Sequence, residues 1–196
     1  MPRRPRIWFP GALYHIIVRG DNREPIFFIE QDYRTYLQFL NDAKGRYGCQ
    51  LFAYALMTNH VHLMVQTGQL HPISKLMQSV NTVYTMYVNK KYKRVGHIFQ
   101  GRYHGVLVEK ESYALELTRY IHLNPVRAGL VRVPQQYRWS SYRAYLGKGD
   151  DGLVNTEEIL AMVSPVESRR RSLYAQFVID GLTKGQTLER DLLHGV

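Results

Sequence analysis

The sequence predicts an α+β fold: an antiparallel sheet with packed helices, in the ferredoxin-like or RNA-recognition-motif-like manner, plus a helical C-terminal tail. Three observations carry this. Segments with an apolar period of two alternate with segments of helical period, in the order β-α-β-β-α-β-α. Two strand segments are separated by only Thr58 and Asn59, which makes them an antiparallel pair. The 196 residues are 45% hydrophobic and 12% aromatic, ample for one core and fewer than two full domains need.

Taken in order, residues 1–10 read as a basic arm in which Arg3, Arg4 and Arg6 alternate with prolines. Leu13–Val18 is the first strand, stopped by Arg19-Gly20-Asp21-Asn22. His15 lies among its apolar residues and reads as a hydrogen-bonded structural histidine before it reads as a ligand. A helix is expected over 31–47, with Tyr33, Tyr36, Leu37, Leu40 and Ala43 at helical spacing and Gly48 at its end. Residues 50–57 and 61–66 form the antiparallel pair, with His60 at the entry to the second strand. A long helix over 72–92 carries Leu76, Val80, Val83, Tyr84 and Tyr87. Residues 98–103 and 106–109 read as a strand or hairpin around Gly101 and Gly105. A further helix over 112–123 is ended or kinked by Asn124-Pro125, because proline disfavours a helical residue before it. After a Gly/Asp-rich break at 147–152, two more helices are expected within 156–193. The domain division is an arm at 1–10, a main domain at 11–147 and a C-terminal segment at 148–196.

Composition narrows the partners. Lys and Arg number 26 against 16 Asp and Glu, a net charge of +10 that favours a polyanion, nucleic acid before an anionic membrane surface. The single cysteine, Cys49, excludes an intramolecular disulfide and a Cys-rich zinc site, and reads as a buried inert thiol. The longest apolar run, 51–57, is too short to span a bilayer, and none follows the basic N-terminus as in a signal peptide, so a cytoplasmic location is expected. Lys90, Lys91, Lys93 and Arg94 around Tyr92 suit a helix C-terminus, and equally suit phosphates and stacked bases. Arg102, Tyr103 and His104 are candidate DNA contacts.

The chemistry centres on Met57-Thr58-Asn59-His60-Val61-His62. Side chains alternate on a strand, so His60 and His62 share a face and form half of a divalent-metal site, while Val61, Leu63 and Val65 face a core. Alone, a His-x-His pair is a weak signal. Tyr120 and Asn124, four apart, share a helical face. If that face covers the histidines, Asn124 can offer a side-chain oxygen to the metal and Tyr120 its hydroxyl to the same centre. From periodicity alone, Tyr120 is one of 15 tyrosines and reads as ordinary packing.

These residues, with Gly101-Arg102-Tyr103, the run Tyr120-Ile121-His122-Leu123-Asn124-Pro125-Val126-Arg127-Ala128-Gly129 and Trp139-Ser140-Ser141-Tyr142, resemble the HUH single-strand DNA transposases with one catalytic tyrosine. The REP-associated branch is the most similar. The resemblance spans roughly residues 10–146. It implies an HUH endonuclease core and a metal-dependent endonuclease and strand transferase that acts on hairpin or palindromic single-stranded DNA. It further implies Mg2+ or Mn2+ held by His60, His62 and Asn124, and Tyr120 as a nucleophile that forms a 5′-phosphotyrosine. One departure concerns the third ligand: several relatives carry Gln where this chain has Asn124, with Glu116 a less favoured substitute. The arm at Arg3, Arg4 and Arg6 and the cluster at Lys90, Lys91, Lys93 and Arg94 are the implied hairpin contacts. A monomer or homodimer with no membrane partner is expected. The alternatives are a hairpin-binding regulator that keeps the fold without cleaving, and an RNA-binding protein. The latter would show an aromatic-rich RNA-recognition signature that this chain lacks.

Overall fold

The architecture comes from a computed structural model that describes residues 8–108, 111–149 and 152–182. Arg3, Arg4 and Arg6 lie outside the described residues. Four strands, β1 (Leu13–Arg19), β2 (Gln50–Met57), β3 (His60–Gln66) and β4 (His104–Leu107), form one antiparallel sheet in the order β2-β3-β1-β4. The helices are α1 (Glu30–Tyr47), α2 (Ile73–Tyr92), α3 (Glu111–Arg127), α4 (Tyr142–Tyr145), α5 (Glu157–Val163) and α6 (Glu167–Asp180). The chain order through α3 is the β-α-β-β-α-β-α read from the sequence.

Alternation along the strands builds two cores, one on each face of the sheet. Tyr14, Ile16 and Val18 of β1 join Val61, Leu63 and Val65 of β3 in a layer with α1 and α2, to which Tyr36, Leu40, Leu76, Val80 and Tyr84 contribute. The opposite face packs against α3, α5 and α6 through Leu117, Ile121, Leu123, Ile159, Leu160, Tyr174 and Val178. On β2 a bulge between Leu51 and Ala53 resets the phase. Beyond it Ala53, Ala55 and Met57 stand opposite Met64, His62 and His60. A one-residue slip would exchange the two faces, so the bulge keeps small side chains on the histidine face, where α3 packs close.

The edge of β2 is covered by the segment after the 3₁₀ turn Pro134–Gln136. Leu56 N donates to the Trp139 carbonyl at 2.8 Å, Ser141 N donates to the Tyr54 carbonyl at 3.0 Å, and Ala55 pairs with Ser140. An exposed edge is thereby paired.

Two expectations need correction. The hairpin expected from 98 onward is the single short strand β4; Ile98–Tyr103 makes only the bridge from Phe99 to Gly20 before Gly101 turns away at φ +63°. The helix expected to be ended or kinked by Asn124-Pro125 does not end there but runs through Pro125 to Arg127. Proline there forfeits one hydrogen bond close to the helix end, while Ile121 and Leu123 hold that last stretch buried in the core. Packing outweighs the bias before proline.

Candidate active site

The ladder places four histidines on one face of the sheet. In register, His62 of β3 stands beside Ala55 of β2 and Ile17 of β1, and Ile17 stands beside His104 of β4. One step along, His60 lies between Met57 and Arg19; one step the other way, Met64 and Val106 flank His15. His15 and His62 are almost wholly buried, at 1% and 2% exposure.

Over this face lies Tyr120, carried by α3 and 8% exposed. Its ring meets His15 edge-on at 5.7 Å between centroids and His62 edge-on at 5.6 Å. The guanidinium of Arg127, two turns further along α3, sits 5.7 Å from the centre of the Tyr120 ring. The structure therefore brings Tyr120 to His62 of the motif, with His15 as its second histidine neighbour.

The hydrogen bonds around the histidines decide which nitrogens remain for a ligand. Asn59 Nδ2 donates to the Arg23 carbonyl at 3.0 Å, which fixes the amide and presents Asn59 Oδ1 to His60 Nδ1 at 2.7 Å. An amide oxygen only accepts, so the neutral His60 carries its proton on Nδ1 and a lone pair on Nε2. His62 Nδ1 is likewise taken, by His15 Nε2 at 3.1 Å with the two rings stacked. Burial pushes all three imidazoles down, His15 and His60 to about 4 and His62 well below its usual range; His104 adds to the effect on His15, and Arg19 to that on His60. They are neutral near pH 7, the form in which imidazole binds a metal.

The third ligand is less complete. Asn124 Nδ2 donates back to the Tyr120 carbonyl at 3.1 Å, so its Oδ1 is the atom left to offer. Glu116, the substitute, is ion-paired with Arg119. Among the described residues no three His, Cys, Asp or Glu side chains cluster as a metal set. Asn124 is carried on α3 with Tyr120, and the hydrogen bond of its side chain is to that helix's own backbone.

The expected DNA contacts divide sharply. Lys90, Lys93 and Arg102 are exposed. Lys91 is spent on structure: its Nζ lies 2.6 Å from Oδ1 of Asp32, a carboxylate with no exposure. Tyr87 and Tyr92 donate to the same carboxylate at 2.9 and 2.7 Å, and the backbone N–H groups of Phe28 and Ile29 at 2.9 and 3.0 Å. Arg94 pairs with Glu24 at 3.3 Å. Tyr103 is 6% exposed and belongs to the core beneath α1 and α2, so it presents no ring face to a base.

Sequence reasoning missed several residues of this neighbourhood. Local pattern gives Asn59 as a turn and motif residue with no stated hold on His60, and Arg19 as a strand terminator; strand period assigns each residue a face, but only the pairing register sets Arg19 beside His60. A cleft of about 460 Å³ on the α1 side of the β2 edge, lined in part by Arg34, Arg138, Arg143, Lys148 and Trp139, has no signature in the local sequence.

A family model described as "Transposase IS200 like" matches residues 9–124. Among solved structures, one described as the REP-associated tyrosine transposase bound to a REP hairpin is similar with a TM-score of 0.66 and 16% identity, covering 79% of this chain and 89% of that one. A putative transposase from Deinococcus radiodurans R1 has a TM-score of 0.44 and 18% identity, covering 61% of this chain and 95% of that one. No curated protein matches. The first similarity bears on the fold, in line with the α+β sheet-and-helix architecture above.

Proposed function

The chain belongs to the family of IS200-like transposases, and from that premise we propose that it cuts and rejoins single-stranded DNA beside a hairpin, with Tyr120 as the nucleophile. The observation that carries this reading is the seating of the Tyr120 ring across His15 and His62, with the Arg127 guanidinium 5.7 Å from the ring centre. Ordinary packing of a tyrosine needs neither a paired histidine floor nor a guanidinium beside the ring.

In the proposed reaction the Tyr120 oxygen attacks the scissile phosphorus and loses its proton. The bond from phosphorus to the 3′ oxygen breaks, and that oxygen takes up a proton as a free 3′-hydroxyl. The strand downstream of the cut remains on the enzyme, its 5′ phosphate esterified to the tyrosine, so a 3′-hydroxyl can reverse the step and join strands without ATP. His60 and His62 through Nε2, and Asn124 through Oδ1, are the residues that would hold Mg2+ or Mn2+. Such an ion, when bound, supplies Lewis-acid polarisation of the scissile phosphate. Arg127 places positive charge against the ring of the attacking tyrosine, and Arg19, next to His60 on the sheet, places another on the face that would receive the phosphate. Burial of the histidines keeps them neutral. The partner, by this reading, is a single strand folded into a palindromic hairpin, engaged mainly through exposed Lys and Arg.

The test uses end-labelled single strands bearing palindromes from intergenic repeats, incubated with Mn2+ or Mg2+ and resolved on denaturing gels. A labelled protein adduct is expected with the wild type and absent from Tyr120→Phe and His60→Ala, both of which should still shift the hairpin in a native gel. An adduct that persists in Tyr120→Phe would move the nucleophile elsewhere. Hairpin binding with no adduct or cleavage under either metal would make the chain a binding protein on a transposase fold.

A further inference from the structure

Each of the two histidines read as metal ligands is held through Nδ1 by a residue that nothing in the proposed reaction uses. For His60 the support is Asn59, itself anchored to the Arg23 carbonyl. That carbonyl is presented by a strained loop: Asn22 and Arg23 sit consecutively in the left-handed region, at φ +49° and +61°. Two adjacent non-glycine residues there are strained, and the strain persists only where the surroundings enforce it. Gly20 N donates to the Asn59 carbonyl at 2.8 Å, and a Cβ at Gly20 would lie 2.1 Å from the Glu24 carbonyl oxygen. The loop is thus folded tightly onto the turn that carries Asn59.

For His62 the support is His15. Between His15 Nε2 and His62 Nδ1 one nitrogen donates and the other accepts. His15 Nδ1 is buried and has no hydrogen-bond partner among the described residues. With nothing on His62, the cheaper arrangement has His15 Nε2–H donating, because an unmatched buried lone pair is better tolerated than an unmatched buried N–H. His62 then carries its proton on Nε2. A cation on His62 Nε2 requires the opposite: His62 Nδ1–H donates to His15 Nε2, and the His15 proton moves to Nδ1.

We propose that Asn59 and His15 are positioning residues for the metal site, Asn59 fixing His60 as an Nε2 ligand and His15 exchanging tautomer whenever His62 takes a cation. This rests on the reading of His60 and His62 as metal ligands. Outer hydrogen bonds of this kind typically change metal affinity by 10–100-fold when removed.

The experiment titrates the purified, DNA-free full chain with Mg2+ and follows the imidazole nitrogens of His15, His60 and His62 by long-range 15N–1H NMR. In parallel, Mn2+ affinity is measured by the loss of the free-ion EPR signal. Expected are His60 in the Nδ1–H form throughout and a His15 switch from Nε2–H to Nδ1–H on saturation. Asn59→Leu and His15→Leu should weaken Mn2+ by about tenfold or more. His15→Gln, whose amide oxygen reaches the place of Nε2, should recover most of that loss. The proposal is overturned if the wild type binds Mg2+ at these histidines with the His15 tautomer unchanged, or if folded His15→Leu binds Mn2+ like the wild type. Failure of the underlying reading looks different. Wild type and His60→Ala would then bind Mn2+ equally, and the proposal would fall with it. Should the leucine variants not fold, the wild-type NMR titration alone still decides.

Discussion

At the scale of single residues, Asp32 shows how a charge that sequence assigns to a ligand can be claimed by the fold. Its carboxylate accepts from five donors: two backbone N–H groups at the start of α1, two tyrosine hydroxyls and Lys91. Burial would by itself raise the Asp32 carboxyl; the bonds from Lys91, Tyr92, Phe28 and Ile29 outweigh it and hold the group down to about 2. A depressed carboxyl contributes stability that is present above its ordinary value near 4 and is lost as pH falls toward 2. Asp32→Asn keeps the shape but removes the charge that Lys91, Tyr87 and Tyr92 converge on. The pair is buried on the Asp32 side only, so breaking it costs less than the roughly 3–5 kcal/mol of a fully buried pair. The variant should therefore unfold at clearly lower urea than the wild type at pH 7, and the gap should narrow below pH 4. An unchanged midpoint would mean that the strap between α1 and α2 contributes nothing.

At the scale of elements, α6 is tied to the helix that carries Tyr120. Tyr174 O–H donates to Thr118 Oγ1 at 2.9 Å, and Thr118 donates onward to the Leu115 carbonyl at 2.7 Å. The Tyr174 oxygen is therefore free to accept from His122 Nδ1–H at 2.7 Å, leaving His122 Nε2 to accept from the Ser141 hydroxyl at 2.8 Å. Every member of this buried chain is matched, joining α3, α6 and the segment on the β2 edge. Tyr174→Phe leaves the His122 N–H without an acceptor, at a cost of about 1–3 kcal/mol. For a chain of this size, each kcal/mol lowers the melting temperature by roughly 2–4 °C. Burial pushes His122 down to about 3. The unfolded chain then binds more protons between pH 6.5 and 3, so stability falls as pH drops through that window. By pH 5 this histidine alone accounts for about 2 kcal/mol. His122→Asn cannot titrate, so its unfolding free energy should change less between pH 7 and pH 5 than that of the wild type; equal changes would remove His122 as the source.

The same elements mark what was legible beforehand. His60 and His62 on one face, with Val61, Leu63 and Val65 on the other, followed from strand period, and the tight turn at Thr58-Asn59 set the pair antiparallel. Tyr120 was located by resemblance; its own period said only that it packs. Three things were beyond reach. The bulge on β2 that sets the phase of Ala53 and Ala55 depends on pairing, which no local pattern encodes. His15 and Arg19 meet the pair through register between segments distant in sequence, and Asn59, though next to His60, is aimed at it by the Arg23 carbonyl. The helix through Pro125 follows from tertiary burial against a local rule.

At the scale of the whole molecule, a net charge of +10 predicts salt-sensitive binding to DNA, but it does not say which cations take part. No helix among the described residues is long and apolar enough to cross a membrane. The cluster at the end of α2 offers a discriminating case, because neighbouring lysines have different fates. Lys90 and Lys93 are exposed, whereas Lys91 is held by Asp32, with a cation–π contact to the Tyr87 ring at 5.0 Å. If the hairpin lies against this end of α2, Lys90→Ala and Lys93→Ala should each lower the slope of log K against log salt by about 0.9, leaving the melting temperature in place. Lys91→Ala should do the reverse: a lower melting temperature, and a salt slope unchanged once folded protein is counted. Arg143→Ala and Lys148→Ala, which alter the cleft at the β2 edge, report on a second location in the same units. A reduced slope there with none at Lys90 or Lys93 would place the DNA along the α1 side of the sheet edge. Reductions at both would mean a strand that runs from one end of α2 around α1, long enough to carry a hairpin and the single strand next to it.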